Sequence, residues 1–81
     1  MKIIRISEVK EMMGFKADGS IRNLIGKGLF TPPVKIGERA VGWPDYEIEE
    51  ILKARISGQS AKDIRLLVNR LRVDREKSPG S

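Results

Sequence analysis

After an apolar opening, "KIIRI", the apolar positions of this chain fall first into a helical period and later into an alternating one. Val9, Met12 and Met13 give a short helix one apolar side, and Gly14 is a natural stop for it. Ser7 is placed to cap that helix, with Glu8 and Glu11 in its first turn, where the helix dipole favours carboxylates. "FKADG" then makes a tight connection with Phe15 buried under it, and Asp18 or Ser20 caps a second helix. In that helix Ile21, Leu24 and Ile25 follow the i, i+3, i+4 rule. Two short helices joined by a brief turn are the minimum of a helix-turn-helix. Gly28 ends the second helix, and Pro32-Pro33 cannot continue it.

The period then changes. In "VKIGERAVGWP" the alternation predicts a hairpin: Val34 and Ile36 point one way and Lys35 the other, Gly37-Glu38 makes the turn, and Val41 and Trp43 repeat the alternation on the return strand. Trp43, preceded by that alternation and followed by Pro44, reads as core rather than as a platform for stacking bases. Pro44-Asp45 opens a third helix with the stripe Ile48, Ile51, Leu52 and Ile56, while Glu47, Glu49 and Glu50 crowd its N-terminal half. Tyr46 falls opposite the stripe, either as a surface residue or as a partner contact. Gly58 ends this helix, and Ser60 caps a fourth with Asp63 three residues on. Ile64, Leu67, Val68 and Leu71 line the inner face of the fourth helix. The expectation is a mainly α domain with a small β-hairpin over residues 1–76 and a disordered tail over 77–81, with no internal repeat.

Composition narrows the function classes. At 81 residues the chain has room for one domain, and a domain of this size buries only about 60 to 65% of its unfolded surface. Sixteen Lys+Arg against eleven Asp+Glu give a net charge of +5, which favours polyanionic partners. The bias is uneven: residues 1–44 hold eight Lys/Arg and four Asp/Glu, net +4, whereas residues 45–81 hold eight and seven, net +1. With no Cys and no His, disulfides, thiolate metal sites and the commonest general base are excluded, and no glycine-rich phosphate loop is present. An enzyme is therefore not expected, nor a metal or cofactor. No apolar run approaches the roughly 20 residues of a membrane span, and "MKIIRISEVK" is too charged for a signal peptide. A cytoplasmic protein is the expectation.

The basic half is the half with the helix-turn-helix and the hairpin. A hairpin in that position can act as a wing: the second helix enters the major groove and the strand tip meets the adjacent backbone or minor groove. On the second helix Arg22 and Asn23 project away from the apolar cluster, with Ser20 and Lys27 at its flanks and Lys16 in the turn before it. Arg and Asn suit bidentate contacts with guanine and adenine edges, against the plainer reading of a solvated polar face. Gly19 and Gly26 share that face, permitting close approach to a groove or marking frayed helix ends. Arg39, with Lys35, is assigned to the wing contact, the alternative being a pair with Glu38 or with the acidic start of the third helix. On the fourth helix Leu66 and Val73, seven apart and opposite the core stripe, are candidates for a protomer contact. Arg65 and Arg72 run alongside them, and with Arg70 and Arg75 they either reach phosphates or form a solvated basic face.

The segments "ISEVKEMMGF" and "IRNLIGKGLFTPPVKIGERAVGWPDYEIEEILKARISG" resemble the AlpA family of small prophage regulators, relatives of the excisionases and of the DNA-binding domain of MerR proteins. The likeness runs from about Ile4 to Gly58, and "PVKIGERAVGWP" followed by an acidic helix start is its most specific part. It implies a winged helix-turn-helix that binds double-stranded DNA as a transcriptional regulator or as an excisionase. The recognition helix would fall on Ser20 to Lys27 and the wing on Lys35 to Arg39. Such a protein would act on the nucleoid of a bacterium, with a second copy, an integrase or RNA polymerase as protein partners. The alternative is a DNA-recognition small subunit of a phage packaging terminase, which uses the same fold. In one respect the chain departs from the family. The usual helix opening is a Ser/Thr-rich cap followed by a β-branched residue and an aromatic, whereas here "KADGSIRN" puts Arg22 where the aromatic tends to be.

Overall fold

The computed structural model describes residues 2–77. Its elements are β1 (Ile3–Ile4), α1 (Ile6–Met13), α2 (Asp18–Gly26), β2 (Val34–Lys35), β3 (Val41–Pro44), α3 (Asp45–Ile56) and α4 (Ala61–Lys77). Three of the four helices end in the same way. Gly14, Gly28 and Gly58 all have φ between 75° and 78°. At Gly14 the chain turns back through Gly14 N–H to the Glu11 carbonyl and Phe15 N–H to the Lys10 carbonyl, the paired bonds of a Schellman motif. A left-handed φ is cheap for glycine alone, so this turn fixes where α1 stops and how α2 departs.

The helix starts differ from the sequence expectation. Ser7 lies inside α1, because Arg5, still extended after β1, takes the N-cap position and offers only its backbone carbonyl. Glu11 consequently falls beyond the first turn, which holds Glu8. Neither Asp18 nor Ser20 caps α2: Ala17 occupies that position, Asp18 is already helical, and no side chain caps the end. The cap expected on α4 is present, with Asp63 N–H donating to Ser60 Oγ at 3.2 Å. Its helix includes Lys77, which the sequence reading places in the tail, and the rest of that expected tail, residues 78–81, lies outside the described region.

The hairpin becomes part of a three-stranded antiparallel sheet, ordered β1-β3-β2. The opening "KIIRI" supplies the unexpected strand: Ile3 and Ile4 pair with Pro44 and Trp43. On the other edge Val34 faces Gly42 and Lys35 faces Val41. Directly opposed residues share a face, so Val41 and Trp43 lie on the side of Lys35 and not on that of Val34. The turn is also wider than Gly37-Glu38, a bend over Gly37 to Arg39 closed by Ile36 N–H donating to the Ala40 carbonyl at 2.9 Å. Ile36 and Val41, at 45% and 42% exposure, both lie near this open tip.

Gly42 lies at the tightest point of the sheet. A Cβ there would meet Ile3 Cγ2 at 2.6 Å and the Ile4 carbonyl oxygen at 2.9 Å, the second of which is backbone and cannot swing aside. Gly42→Ala is expected to destabilise the fold by about 1–3 kcal/mol, the usual cost of overpacking. Urea unfolding with a lowered midpoint at unchanged slope would show it.

The core comprises Ile4, Val9, Ile21, Phe30, Trp43, Ile48, Ile51 and Ala54, closed on one side by Ile64, Val68 and Leu71 of α4. Ile56 is not part of it and is 78% exposed. The buried line of α3 runs through Glu47, Ile48, Ile51 and Ala54; at about 100° per residue Ile56 stands roughly 140° around the helix from Ile51. Phe15 is partly buried as expected, with the Arg55 guanidinium 5.7 Å from its ring centroid.

Candidate nucleic-acid interface

α2 is held by one fully buried residue, Ile21, and two partly buried ones, Leu24 and Ile25. This places Arg22, Asn23 and Lys27 on the exposed side, with Ser20 half-buried at the flank and Lys16 exposed in the preceding turn. Gly19 and Gly26 are the second and last residues of α2, and a Cβ at either would meet nothing within 4 Å. Nothing inside the molecule therefore requires glycine at these two positions.

The N-terminus of α2 is tied to α1 by Lys10 Nζ and Asp18 Oδ1 at 2.7 Å. The hydrogen bond from Lys10 holds the Asp18 carboxyl below its ordinary range; desolvation opposes this, while the Lys10 charge and then the Arg22 charge one turn on add to it. A lowered carboxyl pKa in the folded state means that the tie is at full strength at neutral pH and is lost as pH falls through the folded value. The acid on the outward helix is thus already paired. Arg22, by contrast, forms no ion pair among the described residues, and neither do Lys16, Lys27, Lys35 and Arg39. Arg39 sits exposed in the wing bend, paired neither with Glu38 nor with the start of α3.

The link between α2 and the wing runs through the segment that follows Gly28. Phe30 is buried with its ring edge-on to Trp43, at a centroid distance of 6.0 Å and an interplanar angle of 70°. Trp43 Nε1–H donates to the Thr31 carbonyl at 2.8 Å. Trp43 is 2% exposed, so it is core, as its sequence setting implies. One residue on the central strand thereby fixes the chain leaving α2 against the sheet that carries the wing.

A second tie was not expected from the sequence. Glu47, one of the three carboxylates crowding the N-terminal half of α3, is fully buried. Arg75, read as a candidate phosphate contact, grips it bidentately: Nε donates to Glu47 Oε2 at 2.6 Å and Nη2 to Glu47 Oε1. Nη2 also donates to the Pro32 carbonyl at 2.8 Å. Arg75 therefore joins α4, α3 and the connection into the wing, with Nε and Nη2 both engaged inside the fold. A signal was available, since Ile64, Val68, Leu71 and Arg75 continue one helical stripe and a cation on an inward stripe needs a buried acid.

Elsewhere on α4, Leu66 and Val73 are exposed, at 61% and 37%. Leu66 borders the groove between α3 and α4 with Glu50, Lys53, Asp63 and Arg70, whereas Val73 does not line it. Tyr46 is partly buried against the core, and that burial, followed by the Glu47 charge, pushes its phenol pKa up. No helix of the described residues is long and apolar enough to cross a membrane.

A helix-turn-helix followed by a hairpin on a small three-stranded sheet, packed under two further helices, defines a winged helix-turn-helix protein. The chain belongs to the AlpA family of prophage regulatory proteins: residues 2–56 match the family described as prophage CP4-57 regulatory protein (AlpA). The match takes in the sheet, α1, α2 and α3 and stops before α4. No curated protein and no solved structure matches the chain.

Proposed function

We propose that this chain binds double-stranded DNA sequence-specifically, as a prophage transcriptional regulator or as an excisionase. The observation that carries the reading is the contrast among cations. Lys10 and Arg75 are used inside the fold, whereas Lys16, Arg22 and Lys27 around α2 and Lys35 and Arg39 on the wing are exposed without ion-pair partners among the described residues. In this reading α2 lies in the major groove, where Arg22 addresses a guanine edge and Asn23 an adenine edge. Ser20, Lys16 and Lys27 contact phosphates beside it, and Lys35 and Arg39 meet the next backbone or minor groove. The Trp43 seam keeps the two elements in one relation, so binding requires little rearrangement. The site of action is the bacterial cytoplasm, on the nucleoid, and a second copy, an integrase or RNA polymerase are the protein partners that such roles entail.

The test is the salt dependence of binding to a duplex enriched from a randomised pool. Lys16, Lys27, Lys35 and Arg39, if each neutralises one phosphate, together contribute about −3.6 to the log–log slope, at roughly 0.9 per phosphate. Affinity for the enriched duplex that does not change with ionic strength would contradict the reading.

A further inference from the structure

The C-terminal end of α2 presents an electrostatic difficulty for a helix that docks on DNA. A helix C-terminus carries about half a negative charge on its free carbonyls, which repels phosphate. The last turn of α2 contains no basic residue. Lys27 follows at the C-cap, and a second cation comes from outside the element: Arg65 of α4 donates Nε–H to the Lys27 carbonyl at 2.9 Å, across 38 residues of sequence. Its stem lies over Gly28, where a Cβ would be 3.7 Å from Arg65 Cγ and 3.8 Å from Cδ. Only Nε is used. Among the described residues the Nη1 and Nη2 groups have no hydrogen bond, and Arg65 has no ion pair.

Arg65 does not stand alone on its helix. Lys62, Arg65, Asn69 and Arg72 recur at spacings of three, four and three, so they form one stripe along α4. All four are exposed, and none of the three cations forms an ion pair among the described residues. The Arg65–Lys27 bond is the point at which this stripe meets the end of α2.

We infer that α4 supplies a second phosphate-binding surface, in which Arg65, oriented by the Lys27 carbonyl, grips the DNA backbone beside the C-terminus of α2 and Lys62 and Arg72 extend the contact. This rests on the reading that the chain binds duplex DNA. An arginine fixed through Nε keeps its paired Nη groups directed outward, the arrangement that suits a phosphate. It also cancels the repulsive carbonyl charge at the place where α2 comes nearest to the backbone. α4 begins beyond the residues that match the family.

The experiment compares variants on one duplex enriched from a randomised pool by the wild-type protein, with affinity followed against salt. Arg65→Ala weakens binding and makes the log–log slope shallower by about 0.9, the value for one phosphate. Arg65→Lys keeps the charge and keeps the slope. The triple variant Lys62→Ala, Arg65→Ala, Arg72→Ala is shallower by about 2.7. Lys53→Ala, at the α3–α4 groove beside Leu66 and Arg70, binds like the wild type. A wild-type slope in Arg65→Ala overturns the inference, whether affinity is unchanged or falls, because weaker binding at constant slope means that Arg65 only positions α2. A wild-type protein that enriches no duplex overturns the underlying reading, and this inference with it.

Discussion

Arg75→Ala is expected to remove about 3–5 kcal/mol of stability, the usual effect of taking one partner from a buried ion pair. Glu47 has no solvent-exposed side-chain surface, while Arg75 retains 20% of its own. The variant would leave a carboxylate inside the protein with neither of the two donors that satisfy it, and the Pro32 carbonyl would lose its partner as well. Water reaching through the opening left by the arginine moderates the loss, so the lower half of the range is the expectation. Small domains have about 5–15 kcal/mol in total, so even this should lower the urea midpoint visibly. Arg75→Lys should recover only part of the loss, since an ammonium cannot match the bidentate fork. A combined Glu47→Leu and Arg75→Met variant should be more stable than Arg75→Ala, because it leaves no buried charge behind. A loss below about 0.5 kcal/mol for Arg75→Ala, the range of ordinary surface changes, would show that the pair does not hold α4 to the winged part.

That pair marks the limit of what the sequence made legible. The glycine stops were legible, since Gly14, Gly28 and Gly58 end their helices, whereas of the expected side-chain caps only Ser60 on α4 is present. The apolar stripes of α2 and α4 are the buried ones, and Trp43 is core. Features that depend on a distant segment were not readable in the same way. Ile3 and Ile4 form a strand only because β3 lies beside them, a pairing of two residues that no local period announces. The start of α1 shifts with that strand, so Ser7 loses its cap position to Arg5. Glu47 belongs to an acidic cluster by sequence and to the core by structure, because its partner is 28 residues away. Arg65 was one of several arginines on a polar face until the fold brought it to the end of α2. In the candidate site itself, exposure of Arg22, Asn23, Lys27, Lys35 and Arg39 followed from helix and strand periodicity, whereas the seam that unites their elements required the structure.

The second large effect concerns recognition rather than folding. Arg22, Asn23 and Arg39 are exposed and contribute nothing to the core, so their removal together should leave the unfolding midpoint within ordinary surface variation. Each base-reading bidentate pair contributes about 1–3 kcal/mol of discrimination, so losing Arg22 and Asn23 alone should cost on the order of a hundredfold in affinity. In the proposed reading Arg39 adds a wing contact that α2 cannot replace, because the Trp43 seam fixes how far the two elements reach.

The most direct measurement is therefore a binding titration of the Arg22→Ala, Asn23→Ala, Arg39→Ala variant, beside the wild type, on an enriched duplex and on an unrelated one. The expected result is a folded variant that binds both duplexes equally and weakly, its preference gone. A folded variant that still selects the enriched duplex with wild-type affinity would contradict joint recognition by α2 and the wing.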